Sequence, residues 1–549
     1  MSNLSALSRS QNLKTLKSKN FDLLIVGGGI TGAGVARDAA SRGMNVGLVE
    51  ANDFASGTSS RSSKLVHGGI RYLEQYEFGL VFEALSERQR LFELAPNLVH
   101  PLKFAIPLYE SGRVKPQLLK LGMMAYDFLS MYDAPELHQS FSTKELLQEY
   151  PLLQDKELMG GFTYYDAYMD DDRLVHETLR SAADHGATIA NFVSANGPVS
   201  EANQIVGLNC TDHLSGEQFS ISARHVVSCV GPWTDLLGQA LLPKWQEIMR
   251  PSKGVHLVFE RGRLHLEDAV VMAAEKRIVF AIPRNEMTIV GTTDTDFSKD
   301  PGEVRTQRED VDYLLKVAQR YFPGANLTES DIVSSYAGVR PLVWDGSASE
   351  SATSREHVIL HNPLGVSFVA GGKYTTYRHM AEQAVEGVLN LWEFEDQVRY
   401  QHSKTLEPLN PLCSSSLYER SKSEALEWVA NGRTALQERE VLRLAERHGM
   451  EFEHILESYE GLLDRNLSSE EKLWDLELRH AVETTMCLNL KDFYFRRVPL
   501  FLARKGHGLE FIEGLSQTMG QILGWSESER ASQVNALQKQ ISYELSWRD

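Results

Sequence analysis

The chain has 549 residues, more than one compact core accommodates, so two or three domains are expected. Its 42% hydrophobic and 24% charged residues are ordinary for a globular protein, and a net charge of −18 excludes general binding to nucleic acid. The four cysteines, Cys210, Cys229, Cys413 and Cys487, lack CxxC spacing, which excludes a disulfide framework or a zinc knuckle and points to a reducing compartment.

Residues 1–20 carry Arg9, Lys14, Lys17 and Lys19 with no acid and no apolar h-region. A disordered polar arm is expected there rather than a secretory signal. No apolar run approaches the ~18 residues of a membrane-spanning helix. The stretch LLIVGGGITGAGVARDAASRGMNVGLVE, residues 23–50, then reads as strand, glycine turn, helix and second strand (Val46 to Val49), closed by Glu50. Gly27, Gly29 and Gly32 fall in a GxGxxG pattern with Ile30 and Thr31 inside the turn. Such a turn brings backbone amides and a helix N-terminus to a pyrophosphate, and the terminal acid accepts hydrogen bonds from a ribose.

A Ser-rich segment, ASGTSSRSSKLVHGGIRYLE, follows at 55–74. Thr58, Ser59, Ser60, Ser63, Lys64, Leu65, His67, Gly68 and Gly69 supply hydroxyls, amides and a lysine suited to lining a bound cofactor. A helix is expected from Gly79 to Leu94. Residues 101–132 mix Lys103, Arg113, Lys115 and Lys120 with Leu, Met, Phe and Tyr, and read either as a basic amphipathic segment on an anionic membrane surface or as an internal helix with a solvated face. Asp170, Asp171 and Asp172 precede a helical pattern, so capping and dipole complementarity are expected of them and no metal is called for.

From 184 the pattern turns β-rich and ends in VVSCVGPWTD, with Gly231 at the turn. GVHLVFE, RIVFAIP and MTIVGTTD read as antiparallel strands, and the stretch from His357 as a hairpin, a glycine pair at 371–372 and a helix. After about residue 405 the chain becomes Glu-rich and helical, with capping boxes at Ser468/Glu471 and Ser526/Glu529. The fold class expected is α/β plus antiparallel β: a split Rossmann-like nucleotide domain (about 21–100, 160–250 and 335–404), an interleaved β-rich substrate domain (about 101–159 and 251–334), and an all-α domain over 405–549. Three glycine turns this far apart suit FAD lying extended across distant parts of one chain, with Gly231, Gly372, Lys373, Thr375 and Thr376 completing the cofactor set.

GGGITGAGVARDAASRG, FASGTSSRSSKLVHGGIRYLE, YMDDDRLV, AGVRPL and GGKYTTYRHMAE together resemble the FAD-dependent glycerol-3-phosphate dehydrogenases over about residues 20–400, and DFYFRRVPL at 492–500 resembles that family's helical C-terminal domain. The resemblance implies oxidation of sn-glycerol 3-phosphate to dihydroxyacetone phosphate, electrons passed to a quinone, and peripheral attachment to the inner face of the cell membrane from the cytoplasm, with a homo-oligomer left open. Glycerophosphate oxidases, which use oxygen, share most of these motifs and typically carry an insertion for which there is no room between Val255 and Arg277. They stay as an alternative, as does a flavin-bearing redox sensor. A dianionic substrate needs cations, and Arg71, Arg340 and Lys373 match the family motifs, with Tyr72 as a further donor. His256, in KGVHLVF, is the candidate proton acceptor. Arg340 is the catalytic alternative, steadying an alkoxide while water takes the proton. Thr292, Thr293 and Asp294 are expected to shape the flavin pocket.

Overall fold

The apolar strand Asn20–Val26 lies at the centre of a parallel sheet, flanked by Gln218–Ser228 on one side and Val46–Val49 on the other. Leu23, Leu24 and Ile25 are fully buried there, as a strand covered on both faces requires. Val366–Gly371 and Thr188–Ala190 extend the sheet in parallel, and the hairpin partner His357–Asn362 closes one edge. The computed structural model describes residues 4–111, 115–131, 135–274, 277–346, 356–464 and 466–549, and the backbone alone at Arg71, Glu74 and Gln75.

Helix Ile30–Ser41 leaves the central strand through the glycine turn. Gly27 holds φ +108°, and a Cβ there would meet the Cys229 carbonyl oxygen at 2.6 Å. At Gly32 a Cβ would lie 1.9 Å from the Gly27 oxygen, so a side chain would push the helix off the strand. The helix packs on Asp171–Asp184 and Tyr377–Leu389, whose apolar residues close the core over this sheet.

A second, mostly antiparallel sheet stands against the first. Ser252–Glu260 pairs with Ile332–Arg340 and Met287–Gly291, and the ladder continues through Arg277–Arg284, Ala269–Ala274, Val99–Tyr109 and Leu158–Met169 to the short strand Leu65–Val66. The Val99–Tyr109 to Ala269–Ala274 pairing is parallel. This sheet reaches beyond the expected bounds of the substrate domain: Leu65–Val66, most of Leu158–Met169 and the end of Ile332–Arg340 belong to it, not to the nucleotide sheet. Helices from Ser415–Ala430 to Glu527–Glu544 form a third core around Leu476, Phe493 and Trp474. Both expected capping boxes are present, at Ser468 and Ser526.

From residue 4 on, the N-terminal segment is not a disordered arm. Arg9–Ser18 is a helix preceded by a turn that Ser5 and Ser8 cap reciprocally. Leu13 and Leu16 pack into the core beneath the first sheet, and the Arg9 guanidinium reaches the Asn191 carbonyl at 2.7 Å and Asp212 at 2.5 Å. One buried cation and three leucines, Leu4 among them, anchor an otherwise polar segment, too few to mark it in the sequence.

Residues 101–132 are not one amphipathic element either. Val99–Tyr109 is a strand of the second sheet, and only Pro116–Leu129 is a helix; Arg113 lies outside the described residues. Among the aspartates, Asp170 makes no side-chain cap and pairs with Arg284, whereas Asp171 and Asp172 occupy the first helical turn as the dipole favours. Asp171 is buried against Lys64 and accepts from the Ser62 hydroxyl at 2.7 Å.

Candidate active site

A cavity of about 690 Å³ runs from the glycine turn to the second sheet. It opens at the carboxyl ends of the central parallel strands, the crevice where α/β sheets bind ligands. Gly27, Gly29, Ile30, Thr31 and Glu50 line one end, together with Gly231 beyond Cys229 and Val230. The Ile30 amide donates to the Ser59 hydroxyl at 3.0 Å, so the Ser-rich segment lies directly over the helix N-terminus. Glu50 accepts the Gly28 amide at 2.7 Å and the Asn52 amide at 2.8 Å, which leaves a second lone pair on each oxygen. Burial pushes its carboxyl up from the ordinary value, and the two amides oppose the shift.

Thr58, Ser59, Ser63, Leu65, His67 and Gly69 form the adjoining wall, and Gly372, Lys373 and Thr375 approach from the end of strand Val366–Gly371. The Thr375 hydroxyl accepts the His67 amide at 3.2 Å, which joins these distant segments. Gly32, Ser60, Gly68 and Thr376 stand behind the wall rather than on it. Gly68 serves the structure instead, since its amide meets Tyr126 Oη at 3.1 Å and Asp166 at 3.2 Å, where Asp166 is also held by Arg88 at 2.6 Å. Nothing in the spacing of Asp166 and Arg88 marks that support in the sequence.

Lys64 is a correction. Its φ of +56° turns the side chain away from the cavity, and its ammonium is buried in the pair with Asp171 and near the Ser60 carbonyl. Lys64 therefore secures the wall from behind. Arg71 lies outside the described side chains; its backbone belongs to the turn Ile70–Gln75.

At the far end, strand Ile332–Arg340 delivers Arg340 to the cavity. Its guanidinium donates to Asp294 at 3.1 Å, the Thr292 hydroxyl at 2.9 Å and the Thr293 carbonyl at 3.1 Å, so the fork is held in one orientation. Thr293 accepts the Val255 amide at 3.0 Å, and Ser252 donates to Asp294 at 2.8 Å, which ties this loop to the neighbouring strand. The Lys373 ammonium lies 3.7 Å from the centre of the Tyr72 ring. These residues put positive charge at one end of an otherwise acidic protein. Arg61 and Arg277 also line the cavity and were not foreseen in the sequence.

His256 lines the same region from strand Ser252–Glu260. Its ring stacks on Tyr336 with centroids 4.7 Å apart, and Nε2 is 2.8 Å from the Ser63 hydroxyl. Burial, and then the charges of Arg340 and Lys64, hold its pKa well below the ordinary imidazole value. The imidazole is thus neutral at physiological pH, with Nε2 in contact with the Ser63 hydroxyl.

The donor set fits FAD: helix-start amides and hydroxyls for a pyrophosphate, an acid for a ribose, and apolar walls formed by Leu65, Ile278 and Phe280. A metal is not suggested by the buried cluster His448, Glu451 and His480, because Arg180 holds Glu451 through both oxygens, at 2.6 and 3.1 Å.

Residues 22–378 match the FAD dependent oxidoreductase family, and residues 411–530 match the C-terminal domain of alpha-glycerophosphate oxidase. An aerobic glycerol-3-phosphate dehydrogenase of Bacillus subtilis is 34% identical over 543 residues, covering 97% of each chain. Its counterpart in Staphylococcus aureus is 32% identical over 550 residues, covering 98% of this chain and 97% of the other. The solved glycerol-3-phosphate dehydrogenase of Bacillus halodurans, complexed with FAD, superposes with a TM-score of 0.79 at 30% identity over 98% of both chains. L-alpha-glycerophosphate oxidase of Mycoplasma pneumoniae, with a TM-score of 0.55 and 19% identity, shares the fold.

Proposed function

This chain belongs to the FAD-dependent oxidoreductase family and within it to the aerobic glycerol-3-phosphate dehydrogenases, and we propose that this cavity oxidises sn-glycerol 3-phosphate to dihydroxyacetone phosphate. The observation that carries this reading is the continuity of one cavity from the glycine turn to Arg340 and Lys373. FAD, when bound, supplies the acceptor for the hydride that leaves the carbinol carbon. Gly27 to Thr31, Glu50 and the hydroxyls of Thr58 and Ser59 are the residues that would hold it.

The chain's own groups then divide the work. Arg340, Lys373 and Tyr72 receive the phosphate and orient the carbinol, with Arg340 preset by Asp294 and Thr292. In the tautomer that carries its proton on Nδ1, the hydroxyl proton passes to His256 Nε2 through the Ser63 hydroxyl, which gives its proton to the imidazole and takes that of the substrate. Arg340 steadies the developing oxyanion.

Electrons leave to a quinone at the membrane. Support for this lies on helix Pro116–Leu129, where Leu118, Leu121, Met124 and Phe128 are exposed beside Lys115 and Lys120. Exposed apolar side chains flanked by lysines suit the interface of an anionic bilayer, with the protein bound to one face. Among the described residues no helix is long and apolar enough to cross a membrane.

The phosphate pocket is tested by Arg340→Ala and Lys373→Ala. Each is expected to raise KM and lower kcat together, with kcat/KM down by about 10²-fold, because a dianion loses a charged partner in both ground and transition states. Unchanged kinetics in both variants sinks the phosphate assignment.

A further inference from the structure

Residues 50–52, 56–59 and 61–63 line one side of the cavity, from Glu50 at the glycine turn to Ser63 beside His256. The helical domain grips this wall at two points. Near its start, Asp53 is 1% exposed and receives Arg497 through both oxygens, at 2.8 and 2.9 Å, and Arg496 at 2.8 Å. Both arginines stand at the end of helix Leu490–Arg496, in the DFYFRRVPL stretch of the sequence. Arg497 is itself fixed by the Thr485 hydroxyl at 2.8 Å and carbonyl at 2.9 Å.

Near the other end, Arg61 donates to Glu544 at 2.7 and 3.3 Å and to the Ala337 carbonyl at 3.0 Å. Glu544 is the last residue of helix Glu527–Glu544 and 1% exposed. Its carbonyl accepts from the Ser335 hydroxyl at 3.2 Å, and Ser335 also receives the Trp547 indole at 2.8 Å. Ala337 and Ser335 lie on the strand that ends in Arg340, so this corner fixes Arg61 and that strand together.

We propose that the helical domain is a positioning element of the cavity, with Arg497 and Glu544 holding the wall at Asp53 and Arg61 and so fixing the cofactor end relative to the substrate end. Neither Arg497 nor Glu544 lines the cavity, so both are positioning residues. Attachment of the domain alone needs only apolar packing, whereas forked ion pairs fix direction as well as distance. The inference rests on the proposed function for its substrate readout only.

The test uses holoenzyme with Arg497→Lys, which keeps the charge and loses the fork, and with Glu544→Gln, which keeps the shape and loses the charge. Flavin release on dilution, KM, kcat and Tm are measured for each. Arg497→Lys is expected to speed flavin release about tenfold. Glu544→Gln is expected to raise KM about tenfold with kcat within about twofold, and Glu544→Asp to recover part of the loss. Should Arg497→Lys fail to fold, Asp53→Asn gives the same flavin readout. Lowered Tm with flavin release and KM both within about twofold of the parent overturns the proposal. Flavin release decides the Asp53 clamp even where glycerol 3-phosphate proves not to be the substrate.

Discussion

Burial decides what His256 can do. An imidazole held well below its ordinary pKa is a neutral acceptor throughout the physiological range, and its acid limb falls below pH 6.5. With rates referred to the dianionic fraction of the substrate, kcat/KM is expected to stay flat from pH 8 to about 6.5 and to fall only on further acidification. His256→Gln is expected to lose about 10²-fold or more and with it that limb. A variant that keeps its rate within about threefold shows that another group takes the proton. The sequence marked His256 and Arg340 by residue type and setting, but not the contact of the Ser63 hydroxyl with His256 at 2.8 Å. Lys64 shows the opposite case: its neighbours suggested a cofactor ligand, whereas its ammonium is buried in the pair with Asp171 and does not line the cavity.

At the scale of elements, the glycine turn, the strand Val46–Val49 and the closing Glu50 were legible because close backbone approach restricts the residues allowed there. The strand Val99–Tyr109 was not. Pro101 and Pro107 stand within it, opposite Ala167 and Gly161, and proline argues against a strand in any reading by propensity. Leu102, Phe104 and Leu108 are buried on one face, but Ala105 and Pro107 are buried on the other, so no clean alternation marks the strand. Helix Pro116–Leu129 keeps the amphipathic character assigned to the longer segment: Leu121 and Phe128 are 63% and 67% exposed. Each lysine near an anionic bilayer contributes about 1 kcal/mol of attraction. Lys115→Glu with Lys120→Glu is therefore expected to lower partitioning to anionic vesicles at least tenfold, and Leu121→Glu with Phe128→Glu to lower it on neutral vesicles also. Full retention by both double variants removes this helix from the membrane contact.

For the whole molecule, the links between domains were the least legible feature, because Asp53 with Arg497 and Arg61 with Glu544 are more than 400 residues apart in sequence. Buried histidines add a property of the entire fold. Burial lowers His100 and His225 to about 4 and His448 to about 3, and holds His176 and His256 well below the ordinary imidazole value. Each folded pKa lies below the unfolded one, so between pH 6.5 and 4 the unfolded chain holds more protons and acidification favours unfolding. Each such histidine adds up to about 1.4 kcal/mol per pH unit in that window, and the paired carboxylates Asp53 and Glu477, held well below their ordinary values, stay charged there. Tm is thus expected to drop steeply from pH 6.5 to 5, and a flat profile contradicts the burial of neutral imidazoles. The most direct test of the function is anaerobic: glycerol 3-phosphate is added to the flavin-loaded protein and the visible band is followed. Prompt bleaching by glycerol 3-phosphate, with none by glycerol at the same concentration, is the expected result. A flavin band that glycerol 3-phosphate leaves unchanged contradicts the assignment of this cavity to glycerol 3-phosphate oxidation.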